Sequence, residues 1–155
     1  MSDCFFHRII FPGQSPLILG DDLVGEMLQY ATERLPYESG GLIIGQRAED
    51  GTQNASRFVA LESAFLSETR YTARASLAVR AVFAAEQRGE QLIATVHSHP
   101  RGDGLPSMQD VQEAFGYTNF RHVIIHFTHG LAHPRYFSYQ NSHHGFSYLE
   151  GRKDL

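Results

Sequence analysis

Short apolar runs arrive in adjacent pairs with stretches of helical periodicity between them, and this order limits the architectures open to the chain. Residues 4–11 alternate around apolar positions as a strand, Pro12-Gly13 turns the chain, and Pro16-Leu-Ile-Leu19 is a second extended run. A helix follows, which Asp21 or Asp22 can cap; Leu23, Met27, Tyr30, Ala31, Arg34 and Leu35 fall at helical spacing before Pro36 stops it. Gly40-Gly-Leu-Ile-Ile-Gly45 is an apolar strand with Glu38 at its start, Asp50-Gly51 a hairpin turn, and Ser56–Phe65 the return strand. An Ala-rich helix is expected over Ala75–Gln87, ended by Gly89, with an outer face bearing Arg and Glu. Gln91–His97 is then a strand, Ser107–Tyr117 a helix, Arg121–Thr128 an apolar strand, and Arg135–Tyr139 and Gly145–Leu149 closing strands. The pattern predicts an α/β (α+β) sandwich around a central mixed sheet.

The chain of 155 residues fits one domain spanning 1–155, and its 42% apolar and 19% charged content supplies a core without staples. No apolar stretch approaches the ~18 residues of a membrane span, and the N-terminus lacks a signal-peptide pattern, so a cytoplasmic protein without a membrane partner is expected. A net charge of −4 and the lack of a basic run argue against nucleic acid as a partner. The single cysteine, Cys4, excludes both an internal disulfide and a thiolate zinc cluster, so any metal must be held by His and carboxylate.

His97 and His99 are two apart at the end of a strand, so their side chains point to one side and can converge on one ion. Ser107 opens the next helix with Asp110 at its third position, and the intervening loop PRGDGLP can fold that helix start back onto the strand end. Two histidines and an aspartate make an open four-coordinate zinc site, with one position left for water. A carboxylate that is not itself a ligand best manages that water's proton, and Glu38 is the candidate base. Each piece has a plain alternative: Ser107-x-x-Asp110 is also an ordinary capping box, and a His at a strand end is more often structural. His122 and His126 lie in HVIIHF, a strand on which four residues separate them by about 13 Å, too far for one ion.

Taken together, HSHPRGDGLPSMQD resembles the JAMM signature, His-x-His-Pro followed by Ser-x-x-Asp, and PYESGGLIIG resembles its upstream Glu-x-x-Gly-x-x-x-Gly element. The resemblance to this JAMM/MPN-domain (JAB) zinc metallopeptidase family covers most of residues 20–130. It implies a curved mixed β-sheet flanked by helices, of cytidine-deaminase-like MPN/JAB architecture. It also implies one Zn²⁺ per chain on His97, His99 and Asp110, with Glu38 as acid/base, Ser107 as donor to the oxyanion, and Ser98 and Pro100 shaping the loop. Active members of the family hydrolyse peptide or isopeptide bonds after the C-terminal glycine of ubiquitin-like proteins. The implied partners are therefore a ubiquitin-like protein or its conjugates, and E1- or E2-like proteins of the same operon. The chain is too short for the insertions with which eukaryotic members grip ubiquitin, and a compact prokaryotic-type member fits better. Two other readings share the motif: a RadC-like protein, against which the PYESGGLIIG element argues, and a catalytically silent MPN scaffold, against which all five positions argue. A zinc deaminase would need a PCxxC element that one cysteine cannot supply.

Overall fold

The structure is a computed structural model that describes residues 5–113, 120–142 and 145–154. Its elements run β1 (Phe6–Ile10), β2 (Leu17–Gly20), α1 (Asp21–Glu33), β3 (Gly40–Arg47), β4 (Gln53–Leu61), α2 (Ala75–Gln87), β5 (Gln91–His99), α3 (Met108–Glu113), β6 (Phe120–Thr128), β7 (Leu131–Ser142) and β8 (Gly145–Lys153). The expected mixed sheet is present, but it does not stay open. The strands close in the order β1-β2-β4-β3-β5-β6-β7-β8, and β8 returns to pair with β1. Two neighbouring pairs, β2 with β4 and β5 with β6, are parallel, and the others are antiparallel. Closure escapes a sequence reading because it rests on a two-residue register, Ile9 with Lys153 and Ile10 with Arg152, which joins the ends of the chain.

The apolar run 40–45 forms β3, and alternation along it divides the core. Ile43 joins Ile9, Leu17, Met27, Phe58 and Val96 in the larger cluster, where α1 buries Leu23, Val24, Met27 and Ala31. Leu42 and Ile44 face the other way and pack with Leu61, Ala85 and the inner side of α2. At roughly 25 cal/mol per Å² of apolar surface, each such buried branched side chain contributes ~1.5–3 kcal/mol. This two-sided burial makes β3 the fixed reference for its neighbours.

Helix ends follow their local chemistry, with one exception. At the end of α2, Gly89 takes φ +74°, its N–H bonds Glu86 O at 3.0 Å, and the N–H of Glu90 bonds Ala85 O at 2.9 Å, the Schellman arrangement. At the start of α1 the cap residue is Gly20 rather than an aspartate; Asp21 and Asp22 instead sit inside the first turn, where carboxylates complement the helix dipole. The helix stops at Glu33, so Arg34 is its cap and Leu35 lies outside it, 39% exposed. The strand that pairs with β3 begins at Gln53, earlier than the expected Ser56, because the tight turn at 48–52 lets pairing start at Arg47. The third helix begins as expected, and the expected positions 114–117 lie outside the described residues, as does Cys4. The outer side of α2 differs from expectation: beside exposed Arg80 and Glu86 it carries Val79 and Phe83, 69% and 61% exposed. No helix among the described residues is long and apolar enough to cross a membrane.

Glycine in β3 has a packing reason. A Cβ on Gly41 would stand 2.2 Å from Val59 O and 2.8 Å from the Phe58 ring, whereas one on Gly25, on the exposed side of α1, would meet nothing within 4 Å. Gly41→Ala should therefore lower unfolding free energy by about 1–3 kcal/mol through overpacking. Gly25→Ala should raise it by up to about 1 kcal/mol through helix propensity. Urea denaturation of both variants checks the pair, and equal effects would contradict the packing described.

Candidate metal centre

The centre lies on the outer face of β5. Inward-facing Ala94 and Val96 belong to the core, and by alternation Thr95, His97 and His99 face outward. Antiparallel pairing with β3 sets His97 opposite Gly40, two residues beyond Glu38. The Glu38 segment is held from two sides. Its N–H donates to Ser67 O at 2.8 Å; next to it, the Ser39 N–H donates to the buried Ser98 hydroxyl at 2.9 Å and Ser39 O accepts from the Ser98 N–H at 2.8 Å. Thus Ser98, between the two histidines, points away from them and fastens the acid-bearing segment. Gly40 admits a close neighbour, since a Cβ there would lie 2.8 Å from the Tyr71 ring and 2.1 Å from Val96 O. Tyr71 lies nearly parallel to His97, 6.5 Å away, and donates its hydroxyl to Leu61 O at 3.0 Å.

Asp110 arrives by the helix-start device expected from Ser107-x-x-Asp110. The Asp110 N–H donates to Ser107 Oγ at 3.1 Å, and the Ser107 N–H donates back to Asp110 Oδ2 at 2.7 Å, a reciprocal capping box. The box does not exclude a second role, because the same carboxylate faces both histidines: Oδ1 lies 3.1 Å from His97 Nε2 and Oδ2 lies 3.2 Å from His99 Nε2. The two Nε2 atoms are 2.8 Å apart, and Glu38, His97 and His99 have donor atoms within 4.8 Å of one another. All five residues expected from the sequence come together: Glu38, His99, Ser107 and Asp110 line a cleft of about 400 Å³, and His97, which lines the adjoining groove, meets His99 and Asp110 through its Nε2. Arg101 and Glu68, paired at 3.1 Å, are also part of its lining.

The far nitrogens of both rings are engaged elsewhere. His99 Nδ1 lies 3.3 Å from Asp103 O, and His97 Nδ1 lies 2.5 Å from His122 Nε2. With Nδ1 of each ring donating, both Nε2 lone pairs point inward beside two carboxylates, a donor set suited to a divalent metal ion. His122, set aside as a shared ligand with His126, does not join the cleft but stands behind His97. The separation from His126 holds: His126 pairs with His133 instead, ring centroids 5.5 Å apart. Sequence reasoning missed His122 and Tyr71 because neither is near the motif in the chain. Parallel pairing of β6 with β5, Thr95 opposite His122, was the information it lacked.

Charge is arranged to match. Burial pushes the Asp110 carboxyl up, but hydrogen bonds with His97 and His99 outweigh it and hold the group well below the carboxylate range. Burial pushes His99 down, and Asp110, followed by Glu38, reverses this and raises it above the ordinary histidine value. Burial and then His97 hold His122 well below that value, which favours a neutral ring.

A pair of imidazoles converging with two carboxylates, at the end of a strand in a closed mixed sheet, is a group of side chains close enough to bind a metal ion. A sequence model of the prokaryotic homologs of the JAB domain matches residues 20–139, and the chain belongs to that family. A protein of Thermus thermophilus named "Probable TtuB-protein conjugate cleaving protease" is 33% identical over 93 residues, which are 59% of this chain and 59% of that one. The match therefore spans somewhat under two thirds of the relative's length. Among solved structures, a protein from Desulfitobacterium hafniense superimposes with a TM-score of 0.69 at 24% identity, covering 83% of this chain and 86% of that one. One from Salinibacter ruber gives 0.63 at 24% identity, covering 87% of each. Both share the fold.

The raised His99 value carries a pH signature in the metal-free protein. A group whose pKa rises on folding stabilises fully below its unfolded value, about 6.5, and loses that contribution as pH climbs through the folded value. Stripped of metal, the protein should be less stable at a pH above the ordinary histidine value of about 6.5 than at one below it. In Asp110→Asn, which removes the main cause of the shift, the slope should flatten. Urea midpoints at the two pH values check this, and parallel slopes would contradict it.

Proposed function

We propose that the chain is a zinc-dependent metallopeptidase that hydrolyses a peptide or isopeptide bond after the C-terminal glycine of a ubiquitin-like protein. The observation that carries the reading is the double use of Asp110: its carboxylate caps α3 and at the same time faces both imidazole Nε2 atoms in an open cleft. Membership of the JAB-domain family supports a hydrolase, and the name of the Thermus relative supports a protein conjugate as substrate.

In this reading His97, His99 and Asp110 would hold the ion, which would supply Lewis acidity to the scissile carbonyl and lower the pKa of a water to about 7. Glu38, 8% exposed on the neighbouring strand entry, takes a proton from the attacking water. It returns that proton to the leaving nitrogen as the C–N bond breaks, so one carboxylate serves as base and then as acid. Ser107 lines the same cleft, and its hydroxyl donates to the carbonyl oxygen as negative charge develops there. Donor atoms of Glu38, His97 and His99 lie within 4.8 Å of one another, so the zinc content of a Glu38 variant distinguishes a base from a ligand.

Purified protein should carry close to one zinc per chain. Glu38→Gln should keep the metal and lower turnover about a hundredfold or more. Zinc loss in that variant would make Glu38 a ligand. Ser107→Ala should keep zinc, lose about 1 kcal/mol of stability with its cap, and lose turnover by roughly 10²–10³ through the missing donor. Metal analysis, urea denaturation and single-turnover rates on a glycine-ended conjugate separate these effects. Unchanged turnover with lowered stability would reduce Ser107 to a helix cap.

A further inference from the structure

Three imidazoles touch at the metal centre, yet only two turn a nitrogen toward Asp110. The third, His122, is half-buried on β6 at the wall of the neighbouring apolar groove, and both of its ring nitrogens are engaged. Its Nε2 lies 2.5 Å from His97 Nδ1, and its Nδ1 meets Thr95 Oγ1 on the adjacent strand. Its plane is fixed by Tyr139, stacked at 5.4 Å and 22°. We infer that His122 is a positioning residue that sets the tautomer and orientation of His97 for metal binding, with Thr95 as the anchor of the chain. The inference rests on the metal-centre reading above.

The argument is a proton count. A neutral imidazole carries one N–H, so a chain of two rings and a hydroxyl has only two self-consistent orders. In the first, His97 Nδ1–H donates to His122 Nε2, and His122 Nδ1–H donates to Thr95 Oγ1; His97 Nε2 is then a bare lone pair aimed at the centre. In the second, Thr95 O–H donates to His122 Nδ1, and His122 Nε2–H donates to His97 Nδ1. That order puts the His97 proton on Nε2, directed at Asp110 and closed to a metal. Ion binding would therefore select the first order, and a partner ring tied to Thr95 and stacked on Tyr139 would hold His97 there. His99 has the common arrangement, a backbone carbonyl as acceptor. A carbonyl can only accept, whereas the imidazole behind His97 can do either. It is Thr95, at the end of the chain, whose acceptor oxygen allows the metal-competent order. His122 is not a third ligand, because its nitrogens sit on the side of His97 away from Nε2.

The test measures zinc affinity by competition with a chromophoric chelator, and ring tautomers by nitrogen-15 NMR. In zinc-loaded wild type, His97 and His122 should both be protonated at Nδ1. His122→Phe keeps an aromatic ring against Tyr139 but removes the acceptor, and should weaken zinc binding about 10- to 100-fold. His122→Gln, whose amide oxygen reaches the place of Nε2, should recover most of that loss. Thr95→Val, nearly equal in volume, should weaken zinc less than His122→Phe. Wild-type affinity in His122→Phe, equal losses in the Phe and Gln variants, or a His122 proton on Nε2 in the loaded protein would overturn the inference. If His122→Phe does not fold, the wild-type tautomers and Thr95→Val decide it. Failure of wild type to bind zinc at all would overturn the metal-centre reading with it, an outcome distinct from tight binding that ignores His122.

Discussion

The two-residue alternation of β5 is the constraint from which the rest follows. One set of positions, Ala94 and Val96, is committed to the core, so Thr95, His97 and His99 must face out. A slip of one residue would bury the histidines and expose the core, and the energetic penalty for that error fixes the register of the chemistry. The strands on either side make the same commitment. On β3, Leu42 and Ile44 meet α2 while Ile43 meets the core, and on β6, Val123 and Ile125 face in while His122 and Ile124 face out. The histidines are thus held on a rigid strand, whereas Glu38 comes from the loop before β3, and Asp110 and Ser107 from a loop-and-helix crossover.

That crossover is also determined by hydrogen bonding. The capping box ties Asp110 to Ser107 by two bonds, which orients the carboxylate before any ion is present. A charged carboxylate in a site this enclosed must be compensated, and the imidazoles do so at 3.1 and 3.2 Å. Without metal the centre can hold a proton in the cation's place, which accounts for the upward shift of His99. A metal ion held there would compete with that proton for one position, which would link acidification to metal loss.

Beside the polar cleft runs a second, more apolar groove of about 650 Å³, whose walls include Leu42, Val79, Val82, Phe83 and Tyr139. The two cavities share Tyr71 and Asp110. This juxtaposition is a consequence of the fold: α2 covers the outer face of β3 and stops short of the strand ends where His97 and His99 stand. Its exposed Val79 and Phe83 are what distinguishes the real helix from the charged outer face that its Arg and Glu content led one to expect.

Most elements were legible because each is written locally. The span of α2 follows from apolar spacing and Gly89, the β3 to β4 hairpin from Asp50-Gly51, and the convergence of His97, His99 and Asp110 from a strand-end pair plus a helix-start motif. Each of these signals spans fewer than about fifteen residues, the range over which backbone geometry alone places side chains. Tertiary structure decided the rest. Closure of the sheet depends on the pairing of β1 with β8, the place of Tyr71 depends on space left by Gly40, and the role of His122 depends on the parallel register that sets it opposite Thr95. Alternation says which face a residue takes. It does not say which strand lies alongside, because that choice is made by the summed burial of two faces across the whole sheet.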